Sequence, residues 1–243
     1  MRQRTGFTLV ELAVVLIIIG LLLSGLLIPL TTQQDMRQQS EAEKQLAEIR
    51  DAMIGFAQVN KRLPCPARDV ASPGLTTGTE DCTAGNNYGV IPWRDLGVKS
   101  SDPWGRLIRY RVSPSYRMDI TTTTVESKTL AELVIRTRQG GALIDLTNAT
   151  EPNVAAVIFS HGRSGFGNKT DNTDICRSAD GSACPGVPAA FGNADEVTNN
   201  DGGTTYISRT PAPQGVAGGA FDDVLVWIPK TVLANRLIAA GKL

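Results

Sequence analysis

The N-terminus of the chain reads Gly6-Phe7-Thr8-Leu9-Val10-Glu11, and the apolar run that follows it decides how the rest is arranged. Residues 12–30 form a run of nineteen without a formal charge. In an α-helix such a run extends about 29 Å, close to the hydrocarbon thickness of a bilayer. It predicts one membrane span over residues 7–30. Because Arg2 and Arg4 precede it, we expect the N-terminus in the cytoplasm and the rest of the chain on the far side.

Glu11 sets this run apart from other membrane-directed segments. A cleaved secretory signal would be shorter and would end in a small-residue cleavage site, which residues 28–32 do not offer. An uncleaved signal anchor leaves Glu11 unexplained, because a charge at the bilayer centre costs about 2.5 to 3.5 kcal/mol. A cut between Gly6 and Phe7 would create an α-amino group near Glu11, and the two charges could offset each other.

The segment Gly6-Phe7-Thr8-Leu9-Val10-Glu11-Leu12 resembles the processing signature of type IV pilins and type II secretion pseudopilins. The resemblance implies that a prepilin peptidase removes residues 1–6 and methylates the amine of Phe7. It also implies that Glu11 pairs with the Phe7 amine of a neighbouring subunit as the helix leaves the bilayer and enters a fibre. Pro29, late in the apolar run, would kink or locally loosen the helix.

The resemblance also implies partners, a location and a domain organisation. The expected partners are prepilin peptidase, other pilin or pseudopilin subunits, an inner-membrane assembly platform, and membrane lipid before assembly. The expected location is the bacterial inner membrane, with a single pass and a periplasmic C-terminal domain, and then the pilus or pseudopilus. The predicted parts are a leader (1–6), a transmembrane helix (7–30), an extracytoplasmic continuation of that helix (31–62) and a globular pilin-like domain (63–243). The large domain favours a minor subunit, and pilus and secretion roles both stay open.

The predicted fold class is α+β, a pilin-like fold with a long N-terminal helix packed on an antiparallel sheet. Residues 33–60 are mostly good helix formers, and proline ends the helix before residue 64. An apolar stripe at helical spacing consists of Leu46, Ile49, Met53 and Phe56. Strands are predicted over 107–112, 132–138, 155–160 and 224–229, with long loops between them and a short helix over 231–240.

Two further segments are similar to a pseudopilin element of the form D-P-W-G-x-x-x-x-Y that leads into the first sheet strand. They are residues 88–93 and residues 102–110. Asp102 and Pro103 are expected to start a turn, Trp104 to fill the core beneath it, and Gly105 to permit an unusual backbone angle.

The four cysteines all follow the predicted span, in what would be an oxidising compartment. They are Cys65, Cys82, Cys176 and Cys184. Without a C-x-x-C pair, and with His161 as the single histidine, disulfides are favoured over a zinc site. Proximity favours Cys65 with Cys82 and Cys176 with Cys184, although four cysteines allow three connectivities.

Residues 161–222 form a long polar stretch with side-chain oxygens of the kind that bind calcium. The candidates are Asp171, Asn172, Asp174, Asp180, Asp222 and Asp223. Some pseudopilins bind calcium late in the chain, but no spacing here matches a defined calcium motif. We therefore expect no cofactor, with calcium as the alternative.

Two other functions are weighed as alternatives. Ser160, His161 and Ser164 would suit a membrane-anchored periplasmic hydrolase, but no G-x-S-x-G elbow is present, so we do not expect an enzyme. DNA capture by a competence-type minor pilin would need a basic surface. The local basic cluster consists of Arg106, Arg109, Arg111 and Arg117. Lysine plus arginine and aspartate plus glutamate each number 24, so the overall charge favours no nucleic-acid partner.

Overall fold

A computed structural model describes residues 8–68, 77–127, 132–147, 153–165, 194–213 and 215–243, without the side chains of residues 21–32. The chain divides into two compact units, Met1–Ser40 and Glu41–Leu243. Helix α1 (Leu9–Asn60) begins in the first unit and ends in the second. Among the residues described, none of the helices has the length and apolar character needed to cross a membrane. The predicted span over 7–30 includes residues outside the described part and stays a prediction.

The second unit combines helices with strands, which confirms the α+β class. Its described strands are β1 (Tyr88–Val90), β2 (Arg109–Val112), β3 (Val134–Gln139), β4 (Ala142–Asp145), β5 (Val154–Ser160), β6 (Thr205–Ile207) and β7 (Val224–Pro229). Its shorter helices are α2 (Trp93–Leu96), a 3-10 turn (Pro114–Tyr116), α3 (Thr122–Glu126), α4 (Ala194–Asn200) and α5 (Lys230–Ala239).

The strands form two sheets. The first is antiparallel in the order β1-β2-β5-β7, and the second has the order β4-β3-β6. In the second sheet β3 runs antiparallel to β4 but parallel to β6. The strand predicted at 132–138 is β3, so its expected place in one sheet with the other three was wrong. Alternation in its sequence reveals a half-buried strand but not the partner with which it pairs.

The other predicted elements are present with small shifts. The strand predicted at 107–112 begins at Arg109, because Leu107 instead forms an isolated bridge with Ser101. Strand β7 has the predicted bounds, and β5 begins one residue early. The predicted C-terminal helix is α5, and Gly241 follows it in a left-handed conformation with φ of +66°.

The first core lies between the four-stranded sheet and residues 41–60 of α1. Leu46, Ile49 and Met53 are buried there with side chains of β2 and β5, which confirms this part of the predicted stripe. Phe56 is only half-buried, and the Arg62 guanidinium lies over its ring, 5.2 Å from the centroid. Residues 41–60 of α1 thus belong to the first core. This is why the second compact unit begins at Glu41, inside the helix.

The second core lies on the opposite face of the same sheet. Val154, Val157 and Phe159 of β5 pack there against apolar side chains of the second sheet and its flanks. These partners are Leu133, Ile135 and Tyr206. Because β5 is covered on both faces, its sequence is continuously apolar. Ser160 at the end of the strand and His161 directly after it are both fully buried.

Candidate processing site and buried polar centre

Thr8 and Glu11 cap the beginning of α1. The Thr8 backbone N–H and hydroxyl each donate to Glu11 Oε2 at 2.9 Å, and the Glu11 N–H donates to Thr8 Oγ1 at 3.3 Å. This reciprocal arrangement is a capping box, and it turns the carboxylate back toward the start of the helix. The Thr-x-x-Glu spacing is itself a sequence signal for such a cap, which the sequence interpretation missed. Gly6 and Phe7 lie outside the described residues.

The residues around Glu11 form an exposed apolar surface. Leu9 is 89% exposed and Val10 72%, and large apolar side chains remain exposed as far as Ile19. An apolar surface of this extent marks contact with a membrane or with other protein. Glu11 is the acidic residue within it. The side chain of Pro29 lies outside the described part, so its role as a kink stays a prediction.

Asp102 organises the turn that leads into β2. Its Oδ1 accepts hydrogen bonds from the backbone N–H groups of Trp104 at 3.0 Å and Arg106 at 2.8 Å. Its Oδ2 accepts from the Ser160 hydroxyl at the end of β5. Gly105 has a φ of +80°, as expected, and Trp104 packs on the first core while staying half-exposed. The D-P-W-G element thus has a structural role in joining two strands.

The predicted arginine cluster does not form an exposed basic patch. Arg106 and Arg109 are buried, and Arg106 donates to the carbonyl oxygen of Gly162. Arg111 is half-buried and donates to the carbonyl of Gly202, while Arg117 donates to that of Thr83. Arg106, Arg111 and Arg117 thus bind loop carbonyls, and Arg109 lies over the ring of Tyr88, 5.6 Å from its centroid. This is not the arrangement that a nucleic-acid surface requires.

A disulfide joins Cys65 to Cys82, which confirms the first predicted pair. The carboxylate of Glu80 accepts a hydrogen bond from the Cys65 N–H at 2.7 Å and forms an ion pair with Arg62, also at 2.7 Å. The bridge and the ion pair hold the segment after α1 in place. Cys176 and Cys184 lie outside the described residues.

The serines near His161 have other hydrogen-bond partners. Ser160 donates to Asp102, and Ser164 Oγ donates to Asp222 Oδ1 at 2.7 Å. His161 is fully buried, and neither of its ring nitrogens has a hydrogen-bond partner among the described residues. Burial, and then the nearby positive charge of Arg109, lower the pKa of His161 to about 3. Among the described residues, neither Ser160 nor Ser164 is therefore hydrogen-bonded to the imidazole, the contact by which a base activates a nucleophile.

Two of the calcium candidates, Asp222 and Asp223, lie beside Glu196 of α4. Ligand oxygens of these three carboxylates all lie within 4.8 Å of one another. Burial, and then the charges of Asp223 and Asp222, raise the pKa of Glu196 to about 9, and burial also raises the pKa of Asp223 well above its usual range. Glu196 was not predicted, because nothing in the local sequence of α4 distinguishes it from a surface acid. Asp171, Asn172, Asp174 and Asp180 lie outside the described residues.

Comparison with known protein families finds a match at the N-terminus of the chain. Residues 1–27 match the prokaryotic N-terminal methylation motif. The chain carries a type IV pilin and pseudopilin signature. The methylation motif includes Gly6, Phe7 and Glu11, and it indicates a pilin-like precursor that prepilin peptidase processes and that assembles with other pilin subunits. It points to a structural subunit. No curated protein and no solved structure matches the chain.

Proposed function

We propose that this chain is a minor pilin or pseudopilin, cut between Gly6 and Phe7 and incorporated into a type IV pilus or a type II secretion pseudopilus. The observation that carries the proposal is the methylation motif at residues 1–27. The exposed apolar surface that begins at Leu9 supports it, because such a surface needs lipid or neighbouring subunits to cover it.

In this proposal residues 1–6 are a cytoplasmic leader and residues 7–30 a single span of the bacterial inner membrane. Residues 31–62 continue the helix outside the membrane, and residues 63–243 form a periplasmic pilin-like domain. The disulfide between Cys65 and Cys82 supports this location, because disulfides form and persist in oxidising compartments. Membrane lipid and the assembly platform are the partners before assembly.

The capping box suggests how Glu11 acts during assembly. Before assembly its carboxylate is hydrogen-bonded to Thr8 of the same helix, which lowers the cost of holding a charge in an apolar surface. After cleavage, the amine of Phe7 in a neighbouring subunit offers a full opposite charge. In the low dielectric of the fibre interior, the ion pair between Glu11 and that amine is stronger than the hydrogen bond to Thr8. It therefore favours the alignment of neighbouring subunits that brings Glu11 beside the Phe7 amine.

Replacing the charge of Glu11 while keeping its shape tests this role. Glu11→Gln retains an oxygen that can accept from Thr8 but cannot form the ion pair. We expect the variant to be cleaved, to keep the Cys65–Cys82 disulfide, and to appear severalfold less in sheared fibres than wild type. Glu41→Gln, which removes an acid further along the same helix, is the matched control and should assemble normally. Equal amounts of Glu11→Gln and wild type in the fibre fraction would overturn the proposed role of Glu11.

Pilus and secretion roles share one N-terminal signal, so they are separated by the phenotype of a deletion. Loss of surface fibres would assign the chain to a pilus. Loss of a secreted protein, with surface fibres intact, would assign it to a secretion pseudopilus. The neighbouring genes offer a second test, because a secretin with effector genes and a set of retraction and adhesin genes mark different machines.

A further inference from the structure

Strand β4 (Ala142–Asp145) presents an apolar edge at the surface of the second sheet. Among the described strands it pairs with β3 alone, so it lies at the edge of the sheet. Its four residues are all exposed. Leu143 is 42% exposed, Ile144 40%, and Leu146 directly after the strand 49%. Natural edge strands commonly carry a lysine, a proline or a bulge that prevents pairing with another chain, and β4 has none of these.

The hydrogen bonds between β4 and β3 show which backbone groups of β4 point outward. The Leu146 N–H donates to the carbonyl oxygen of Ile135 at 2.8 Å. In an antiparallel ladder, hydrogen-bonded pairs alternate with pairs that are not hydrogen-bonded. Every second residue before Leu146 therefore also directs its N–H and C=O groups toward β3. The N–H and C=O groups of the residues between them, Leu143 and Asp145, point away from β3.

A second copy of β4 matches these outward-pointing groups. In an antiparallel pair with Ile144 opposite the same residue of the second copy, Leu143 of each chain lies opposite Asp145 of the other. Leu143 and Asp145 then form hydrogen-bonded pairs, and each pair exchanges two backbone hydrogen bonds. The central Ile144 pair is one without hydrogen bonds, in which the two side chains lie closer together. The edge of β4 is therefore complementary to itself.

The same alignment brings apolar side chains together and compensates the charge on the strand. On one face of the joined sheet, Ile144 meets its own copy, and Ala142 meets Leu146 of the other chain. The charge on β4 is that of Asp145, whose Oδ1 accepts from Arg136 Nε of β3 at 2.7 Å. Because each copy carries its own counter-charge, repulsion between like charges does not oppose the pairing.

The hairpin that presents β4 is held in one conformation. Its two-residue turn consists of Gly140 and Gly141, which have φ values of +58° and +87°. Two positive φ values are typical of the type I′ turn that matches the twist of a hairpin. Arg138 of β3 donates to the Gly141 carbonyl oxygen at 2.8 Å and forms an ion pair with Asp195 of α4, also at 2.8 Å. A strand that is already ordered loses little conformational entropy when it pairs.

We propose that β4 is a self-association surface, through which two copies of this chain join their second sheets by antiparallel pairing centred on Ile144. The occupant is a second copy because one alignment matches the backbone groups, the apolar side chains and the compensated charge of the strand with those of the same strand. A stable interface takes about 20 to 30 residues a side, so a contact of one short strand is weak and reversible. This inference does not depend on the proposed assembly function.

Cysteine crosslinking of the full chain in detergent tests the surface. Ile144→Cys places two thiols opposite each other, with Cα atoms about 4.5 Å apart, a distance that a disulfide can span. Val232→Cys is the matched control, because Val232 is 42% exposed and Ile144 40%. After mild oxidation we expect at least about fivefold more disulfide-linked dimer from Ile144→Cys than from Val232→Cys, with wild type as the background of the native cysteines. Equal dimer from the two variants would overturn the proposal.

A mixing experiment tests the alignment of the two strands. Ala142→Cys and Leu146→Cys should each give little dimer alone, because each position lies opposite the other, and severalfold more when the two proteins are mixed. Adding Ile144→Lys to both chains should reduce the dimer of the mixture, since two like charges would face each other. Val232→Lys is its control, and circular dichroism reports whether the variants fold. As much dimer from either cysteine variant alone as from the mixture would overturn the alignment.

Crosslinking in cells identifies the occupant of the edge. Mass spectrometry of the linked product should find a disulfide between position 144 of one Ile144→Cys chain and position 144 of another. A link from Ile144→Cys to a different protein, with none to a second copy, would show that the proposed occupant is wrong.

Discussion

At the scale of single residues, Asp102 shows how one side chain can join two parts of the sheet. It accepts from two backbone N–H groups in its own turn and from Ser160 at the end of β5. Burial raises its pKa above the usual range of aspartate, while the hydrogen bonds from Ser160 and Arg106 oppose that shift. The side chain therefore stabilises the fold mainly through the hydrogen bonds that it accepts.

Substitution of Asp102 measures this contribution. Asp102→Ala removes every acceptor and leaves buried donors unpaired, so we expect a loss of about 2 to 4 kcal/mol in the free energy of unfolding. Asp102→Asn keeps an oxygen facing the two backbone groups and should lose about half as much or less. Urea unfolding of the full chain in detergent measures both, with Asp119→Ala as the exposed control. Equal losses for the alanine and asparagine variants would contradict the assigned role.

The difference in unfolding free energy between wild type and Asp102→Asn should depend on pH, and the direction of the Asp102 pKa shift fixes the sign of that dependence. Because the folded pKa of Asp102 is raised, its stabilisation is fully present below the pKa of the unfolded chain and is lost as the pH rises through the folded value. The advantage of wild type over Asp102→Asn should therefore be larger at about pH 4 than at about pH 7. Unfolding at the two pH values measures it. An advantage that grows with pH would show that the folded pKa is lowered instead.

At the scale of elements, α1 presents two different surfaces along its length. Its beginning exposes large apolar side chains from Leu9 to Ile19, whereas residues 41–60 bury theirs against the four-stranded sheet. The burial of Leu46, Ile49 and Met53 could be predicted because the stripe repeats every three or four residues. The burial of Phe56 was overestimated, because the buried stripe continues through Ala57, which is fully buried, and leaves Phe56 at its flank.

A pair of substitutions in this helix measures how much the packing contributes. Met53 is fully buried and Val59 is 72% exposed. Met53→Ala should reduce the free energy of unfolding by about 2 to 5 kcal/mol, because it removes apolar contacts and leaves a cavity. Val59→Ala should change it by about 0.5 kcal/mol or less. Denaturant unfolding of the two variants provides the comparison, and similar values for both would show that residues 41–60 are not part of the core.

The length and composition of an element decide whether it could be predicted from the sequence. Strands β5 and β7 are dense in β-branched and apolar residues, so both were found. The short strands β1, β4 and β6 have three or four residues each, too few for a period to be visible. Helix α4, with the sequence Ala-Asp-Glu-Val-Thr-Asn-Asn, contains weak helix formers and was missed.

At the scale of the whole molecule, the two candidate sites differ in how far the sequence reveals them. The N-terminal signature is local, so Gly6, Phe7 and Glu11 could be singled out from neighbouring residues alone, and they fall within the residues 1–27 that match the methylation motif. The buried centre joins His161, Glu196 and Asp223, which are far apart in the chain. Only the packing of β5, α4 and β7 brings them together, and no local pattern records that packing.

The proposed function requires that the mature protein begin at Phe7, and mass spectrometry of the native N-terminus measures where it begins. Protein from cells that contain prepilin peptidase should begin with an N-methylated Phe7, whereas Gly6→Val should retain Met1 and stay in the membrane as a precursor. Thr5→Val, a substitution beside the cut that leaves Gly6 in place, is the control and should be processed. Wild-type protein that begins at Met1 in such cells would overturn the proposed function.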